Sequence, residues 1–447
     1  MNQLVSNTNH SGYRSIQNID YSYHLVLYIL AFCDFYISVG SFSIKLFYVV
    51  SIPCLLLSAI NLFKKRLTRI DVFFLMWIFA SVFALKVTLS VEDVLACIVG
   101  ELVLFLLYKD VQTFCARYNI SANKALNFIS KAILAFCLYG LFQYLLYKVF
   151  GINIGVSHLT MFPRPRSVFS EPDWLGMYAC VGSSLFLMKI ISRSDKSKFN
   201  WFGFLICFAV LLLSFTRAAW VSFAFGVIVL LFVTKRENRK RLIRLIFLGV
   251  AALALLLAAL SLVNASYIES FLNRLNPLKW LSNDGGASDS RRSSIEIMWY
   301  YIKMNPIFGN GSGSMNYISS NTELLSSMGY YYEINAGRGN ANVLIATLFD
   351  VGIVGFVVFM CLIVFLYKKC LRLRKSKIPQ LSYLGIVFVV IFWNFAIDFQ
   401  FNNGIRFSTV WLFFGLAVYF SDKHAAQWCL APFYANRKGT LERLVAR

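Results

Sequence analysis

Long apolar segments recur along almost the whole of this chain, and they limit the folds that are open to it. Of its 447 residues, 58% are hydrophobic and only 14% are charged. Several segments approach or exceed the roughly 20 apolar residues that cross a hydrocarbon core. Inside a bilayer the backbone polar groups must be satisfied within the chain, and a helix achieves this within each segment. The sequence therefore predicts an all-α polytopic integral membrane protein.

The length of these segments predicts about twelve transmembrane helices. The first 21 residues are polar and lack the apolar block of a secretory signal, so we expect the first span to act as the insertion signal. The predicted centres lie near Leu30, Cys54, Trp77, Cys97, Phe136, Val181, Phe208, Gly226, Leu255, Val357, Phe388 and Leu412. The predicted segments are an N-terminal segment 1–22, spans one to nine in 23–263, a long external loop 264–340, spans ten to twelve in 341–421, and a tail 422–447.

Lysine and arginine are concentrated after the second, sixth, eighth and tenth spans. Each of these clusters follows an even-numbered span, and loops rich in Lys and Arg stay in the cytoplasm. The pattern predicts that both termini are cytoplasmic and that loop 264–340 is external. Basic cytoplasmic loops also account for the formal net charge of +22, so the charge does not indicate a nucleic-acid partner.

The cysteines and histidines give no metal-binding pattern. The ten cysteines show no CxxC or CxxH spacing, and the four histidines share no helical spacing. Zinc and iron–sulfur sites are usually found in a sequence by such spacings. The sequence therefore predicts no metal site, and because no cysteine falls in a predicted external loop it predicts no disulfide framework.

Arginines on the predicted external side are the main candidates for chemistry. Arginine beside a bilayer is costly unless it is paired or faces a polar cavity, and its planar fork binds phosphate through two hydrogen bonds. A shared anionic ligand would explain the set; the alternative for each residue is a snorkelling side chain or an ion pair with a carboxylate. These residues are Arg164, Arg166, Arg217, Arg274, Arg291, Arg292, Arg338 and Arg406.

Two short segments carry the strongest candidates. Arg217 ends a very short break that begins at Ser214, between the seventh and eighth spans. Arg166 precedes Glu171, and Pro172 is expected to begin a helix whose N-terminus favours an anion. Glu171 is a candidate general base for a sugar hydroxyl, with a salt bridge to Arg166 as the alternative.

The longest polar interval begins at Asp289 and leads into the tenth span. An early helix should end at Asn305, because a proline follows, and its apolar face is expected to pack or to lie on the membrane, with a ligand groove as the alternative. Asp350, one turn into the next span, is expected to cap or to form an ion pair. The residues of the apolar face are Ile295, Met298, Trp299 and Ile302. The glycines that follow, Gly309, Gly311 and Gly313, allow tight turns but have neither the preceding strand nor the lysine of a P-loop.

In this order, these pieces resemble the O-antigen ligase and polymerase superfamily of bacterial polysaccharide assembly. With the pattern of spans, the resemblance covers nearly the whole chain. The matching pieces are Arg166 to Pro172 before one span, Ser214 to Trp220 at the short break, Arg291 with Pro306 and the three glycines in the long loop, and Asn342 leading to Gly352 and Gly355.

The resemblance implies a glycosyltransferase of the bacterial inner membrane. Such an enzyme transfers a saccharide from undecaprenyl diphosphate to an acceptor hydroxyl at the outer face, without a cofactor. The implied partners are the lipid-linked oligosaccharide, membrane lipid, a chain-length regulator and a flippase. The leaving diphosphate gains negative charge, which arginines can stabilise electrostatically. The candidate catalytic residues are Arg217, Arg291 and Glu171, and the candidate substrate-binding residues are Arg164, Arg166, Arg292, Arg338 and Asn342.

One departure from the family pattern bears on the reaction. Ligases of this superfamily carry a histidine at the position that matches Ala341, just before Asn342. Its absence favours a polymerase that joins lipid-linked repeat units. The alternatives are an O-antigen ligase and a flippase or transporter, and a flippase would be expected to place charges along a path through many spans.

Overall fold

Helices make up most of the computed structural model, which describes residues 20–33, 35–39, 42–64, 67–157, 163–192, 197–263, 287–328 and 342–423. Those before the long loop are α1 at residues 20–32, α2 Leu46–Lys64, α3 Arg69–Phe83, α4 Val91–Arg117, α5 Ala122–Phe150, α6 Pro172–Ser192, α7 Lys198–Leu213, α8 Arg217–Val233 and α9 Arg236–Val263. The later ones are α10 Ala287–Met304, α11 Ser314–Ser320, α12 Thr322–Ser327, α13 Val343–Arg374, α14 Pro379–Asp398 and α15 at residues 408–423. Two short antiparallel pairs join β1 Tyr36–Val39 to β2 Phe42–Lys45 and β3 Val156–Ser157 to β4 Arg164–Pro165.

The predicted spans can be compared with these helices one by one. Each of the twelve predicted centres lies inside a helix, namely α1 to α9 and α13 to α15. Within the described ranges four helices, α5, α6, α13 and α14, are long and apolar enough to cross a membrane, and α7 and α8 are shorter apolar helices. The prediction of an all-α membrane protein is confirmed, whereas the number of twelve crossings stays a prediction.

Connections that follow even-numbered predicted spans contact one another. Arg241, near the start of α9, donates a hydrogen bond to the carbonyl of Ile191 at the end of α6 at 3.2 Å. Lys423, at the end of α15, donates to Asn119 between α4 and α5 at 2.7 Å. These contacts pair the connection after the sixth span with that after the eighth, and the connection after the fourth with the end of the twelfth. We call the end of the helix bundle at which they lie the basic end.

Connections that follow odd-numbered predicted spans meet at the opposite end. Thr88, before α4, shares a hydrogen bond of 2.7 Å with Ser314 of α11. Asn342, before α13, donates to Gln400, after α14, at 3.2 Å. The ammonium of Lys45, before α2, lies 4.8 Å from the centre of the Phe407 ring, before α15. We call this the site end, because the candidate site residues lie here.

Helix α10 packs its apolar face against the first turns of α13. Met298 and Ile302 are buried in this contact, and Ala346 and Phe349 lie on the α13 side. The packing interpretation of the face is therefore confirmed for these two residues. Ile295 also packs against this contact, whereas Trp299 has an exposed fraction of 48%, so for Trp299 the membrane-surface alternative stays a prediction. The buried face of α10 also includes Ile297 and Tyr301, which lie four positions apart and therefore on the same side of the helix.

Helix α13 is broken at Gly352, where φ is +63° and ψ is −172°. The loop after α10 forms hydrogen bonds with the backbone of α13 on both sides of this break. Its amides at Asn310 and Gly311 donate to the carbonyls of Phe349 and Asp350 at 2.8 and 2.9 Å. In return, the amide of Ile353 donates to the carbonyl of Pro306 at 2.8 Å. The loop thus supplies the hydrogen bonds that the helix loses, as a backbone in a bilayer requires.

Close backbone contact explains why glycine occupies the positions on both sides of this junction. A Cβ on Gly352 would lie 2.3 Å from the carbonyl oxygen of Ile307, and one on Gly309 would lie 2.4 Å from the amide nitrogen of Gly352. Both residues have a positive φ, which L side chains rarely adopt. The glycine-rich loop is therefore a docking segment for α13.

Candidate functional site

The centre of the candidate site is the junction of three segments, namely β4, the start of α6 and the break between α7 and α8. The guanidinium of Arg164 in β4 donates to the carbonyl of Ser214 at 2.6 Å and to the hydroxyl of Thr216 at 3.1 Å. It also forms an ion pair with Asp173 in the first turn of α6. The charge of Arg164 is therefore balanced within the protein, and the residue joins the three segments.

The break between α7 and α8 is held in a constrained conformation. Phe215 is buried and has a φ of +49°, which is uncommon for a residue other than glycine. Gly176 on α6 allows the break to approach closely, because a Cβ there would lie 2.8 Å from Ser214 Oγ. Constrained backbone of this kind costs free energy and often occurs where a functional side chain must be presented.

Arg217 is presented by this break as the first residue of α8, and its side chain is exposed. Its helix begins without a side-chain cap, and the hydroxyl of the N-cap residue Thr216 accepts a hydrogen bond from Arg164 at 3.1 Å and donates one to Asp173 at 3.0 Å. The amides of a first helical turn carry partial positive charge and bind anions. Arg217 and the start of α8 together therefore form a region suited to a phosphate group.

Arg166 and Glu171 lie in the segment between β4 and α6, both of them half-buried. Arg166 donates from Nη1 to the carbonyl of Ser170 at 3.4 Å, which is long for a hydrogen bond, and its buried Nε atom has no hydrogen-bond partner in the described structure. A buried guanidinium N–H without a partner is costly. This segment therefore retains hydrogen-bonding capacity for a ligand.

Gln143 of α5 fixes the same segment, and the sequence analysis missed it. Its side chain accepts from the amide of Ser167 at 2.7 Å and donates to the carbonyl of Ser167 at 3.1 Å. Ser167 has a φ of +57°, so Gln143 stabilises a second constrained backbone position of the site end. A buried glutamine in an apolar span was the signal that could have identified it.

Arg406, in the connection before α15, is the centre of a buried charge network. It donates to Glu101 of α4 at 3.0 Å and to Asp350 of α13 at 2.8 Å. Burial alone would lower the pKa of Arg406, but the two carboxylates raise the pKa well above its ordinary value, so the guanidinium stays charged. The expected ion pair of Asp350 is confirmed. Arg406 is used to hold three helices together.

The remaining candidates differ in how far the structure describes them. Arg292 is exposed on α10 and pairs with Glu296 at 3.0 Å. Asn342 accepts hydrogen bonds from the amides of Leu344 and Ile345, so its side chain caps α13. Arg291 also lies on α10, but its side chain is not among those described. The calls on Arg274, Arg338 and Ala341 fall outside the described residues.

Two comparisons with known proteins bear on this site. Residues 202–360 match the model of the O-antigen ligase family. That segment contains the break before Arg217, helix α10, the glycine-rich loop and the kink of α13. The chain is also 23% identical over 337 residues to a protein of Rickettsia felis described as "Putative polysaccharide ligase", and the match covers 74% of this chain and 75% of that protein.

The resemblance to the O-antigen ligase and polymerase superfamily is confirmed. Arg164 and Arg406 form ion pairs with carboxylates and connect elements of the fold. Arg217 is exposed at the start of α8. The multi-pass character that the family implies agrees with the apolar helices of the chain.

Proposed function

We propose that this protein polymerises polyprenyl-diphosphate-linked oligosaccharide repeat units, as a glycosyltransferase of the O-antigen ligase superfamily. The observation that carries the proposal is the exposed Arg217 at the uncapped start of α8, beside a segment that includes Arg166 and Glu171. The substrate is an undecaprenyl-diphosphate-linked oligosaccharide of a surface polysaccharide. A flippase and a chain-length regulator are its proposed protein partners in the inner membrane.

In the proposed reaction, a sugar hydroxyl of the acceptor attacks the anomeric carbon that is bonded to diphosphate. The new glycosidic C–O bond forms as the bond to diphosphate breaks, and the electron pair goes to the diphosphate oxygen. Arg217, Arg291 and the first amides of α8 stabilise that charge, and Arg166, Arg292 and Arg338 contribute further contacts to diphosphate or sugar. Glu171 accepts the proton of the attacking hydroxyl. Asn342 orders the start of α13 beside the acceptor.

The choice of polymerase over ligase rests on Ala341, and the choice of polymerase over transporter rests on the position of the arginines. The ligases of the superfamily place a histidine where this chain has Ala341, and an imidazole is suited to accept a proton from an acceptor hydroxyl near neutral pH. A transporter is disfavoured because Arg164, Arg217 and Arg406 belong to one end of the bundle instead of following a path through it.

A ligase is the second candidate, because the family model and the relative from Rickettsia felis both carry that word in their descriptions. The polysaccharide profile of a deletion strain separates the two. Loss of a polymerase leaves surface lipid bearing a single repeat unit, whereas loss of a ligase leaves long chains attached to the carrier lipid. The first profile supports the proposal, and the second one contradicts it.

The orientation of the protein is part of the proposal. The basic end faces the cytoplasm, both termini are cytoplasmic, and the site end faces outward. Reporters fused near Asn238 and Ser376 should then give cytoplasmic signals, and a reporter near Asn321 should give an external signal. The reverse signals would place the arginines on the wrong side for a flipped lipid-linked donor.

A further inference from the structure

A buried group of possible metal ligands lies at the basic end, away from the candidate site. It consists of His24 on α1, Cys54 on α2 and Asp110 on α4, with one ligand atom of each within 4.8 Å of the others. All three residues are buried. They are separated by 30 and more positions along the chain, so no short spacing in the sequence could reveal them. From these residues we propose a structural zinc-type site that joins α1, α2 and α4.

The ligand atoms of the three residues are close enough together to bind one metal ion. His24 Nε2 lies 3.5 Å from Asp110 Oδ1 and 3.5 Å from Cys54 Sγ. The first separation is longer than a typical N–H···O hydrogen bond of about 2.7–3.2 Å, whereas the second is also within hydrogen-bond range for sulfur. Zinc bonds of roughly 2.0–2.3 Å at tetrahedral angles place neighbouring ligand atoms about 3.3–3.6 Å apart. A single ion between the three side chains thus accounts for both separations.

Two further hydrogen bonds orient the ligands for such an ion. The Nδ1 atom of His24 lies 2.8 Å from the carbonyl of Asp20, which accepts its proton and leaves the lone pair on Nε2. Tyr28 donates to Oδ2 of Asp110 at 2.8 Å and leaves Oδ1 facing the histidine. This is the arrangement by which outer residues commonly orient the histidine and carboxylate ligands of a metal.

The ligand types favour zinc or a similar transition metal. Imidazole, thiolate and carboxylate together suit Zn²⁺, whereas Mg²⁺ and Ca²⁺ prefer oxygen ligands only. One thiolate and one carboxylate also balance the two positive charges of the ion, so the occupied site is neutral and its burial costs little. A non-protein ligand such as water would complete a tetrahedral site.

Cobalt is the probe for this site, because thiolate-bound Co²⁺ gives a charge-transfer band in the near ultraviolet. Full-length protein without a histidine tag is purified in detergent and titrated with Co²⁺ alone. We expect one Co²⁺ per chain, with the thiolate band, in the wild type and in the control Cys370→Ser, which removes a different buried thiol. Cys54→Ser should abolish the band, and Tyr28→Phe should weaken Co²⁺ binding by about 10–100-fold.

A second measurement does not depend on the folding of any variant. Zn²⁺ should raise the thermal denaturation temperature of the wild type, and a chelator should reverse the rise. The proposal is overturned if folded wild-type protein binds no Co²⁺ or binds it without a thiolate band. It is also overturned if the band persists in Cys54→Ser or is absent from Cys370→Ser.

Discussion

Thr216 donates a hydrogen bond to Asp173 at 3.0 Å and thereby joins the break before α8 to the first turn of α6. The two residues lie next to the strongest candidates of the sequence, because Arg217 follows Thr216 and Glu171 lies two positions before Asp173. The contact is further fixed by Arg164, which binds both partners. One small network therefore positions the proposed anion-binding group and the proposed base.

Replacement of Arg217 tests the proposed anion site. Arg217→Lys keeps the charge but loses the planar fork and its paired hydrogen bonds, so we expect elongation to fall by about 100-fold with normal expression. Arg236→Lys is the matched control, since Arg236 is also an exposed first residue of a helix, but at the basic end. Elongation of lipid-linked repeat units by purified protein is the measurement. Equal elongation activity in Arg217→Lys and Arg236→Lys would show that Arg217 is not part of the anion site.

Replacement of Glu171 tests the proposed base. Glu171→Gln keeps the size of the side chain but cannot accept a proton, and we expect elongation to slow by at least about 100-fold while binding of the lipid-linked donor persists. Glu323→Gln, on the exposed surface of α12, is the control for loss of a carboxylate at the site end. Unchanged elongation in Glu171→Gln would remove only the assignment of the base.

The network around Arg406 predicts a large effect on stability. Arg406→Gln leaves the buried carboxylates of Glu101 and Asp350 without their cation, and we expect the free energy of unfolding to fall by roughly 3 kcal/mol. Adding Glu101→Gln and Asp350→Asn should restore much of the loss, because no unpaired charge remains. Denaturant titration in mild detergent measures both changes. A stable single variant would show that the carboxylates do not depend on Arg406.

The kink of α13 predicts that the stability of the protein depends on glycine at position 352. Gly352→Ala places a Cβ against the carbonyl of Ile307 at a positive φ, so we expect it to reduce the free energy of unfolding by about 1–3 kcal/mol or more. Gly249→Ala on α9 is the control, because a Cβ there meets open space and alanine favours a helix. A Gly352→Ala variant as stable as Gly249→Ala would contradict the observed docking of the loop.

The positions of the helices were predictable because the length of an apolar segment is a local property of the sequence. The break before Arg217 was predictable because it separates two apolar segments, and the helix start at Pro172 because proline is common at the first position of a helix. The partners of the arginines were not, since Arg164 binds Thr216 across 52 positions and Arg406 binds Glu101 across 305. Such pairs depend on which connections meet at one end of the bundle, and no local pattern encodes that.

Two further features of the structure could not be read from local patterns, namely the docking of the loop at Gly352 and the grouping of side chains around His24. The sequence indicated tight turns at the glycines but not that the loop would replace the lost hydrogen bonds of α13. His24 shares no helical spacing with another histidine. The two residues grouped with it, Cys54 and Asp110, lie on two other helices, so no local spacing reveals the group.

Reconstitution of the purified protein with lipid-linked repeat units alone tests the central claim most directly. The acceptor hydroxyl has a high pKa, but the easily leaving diphosphate lets a carboxylate base suffice in place of the absent histidine. We predict longer lipid-linked chains, and no transfer of them when a lipid A core is added. Efficient transfer to lipid A core, with no elongation of the repeat units, would contradict the polymerase proposal in favour of a ligase.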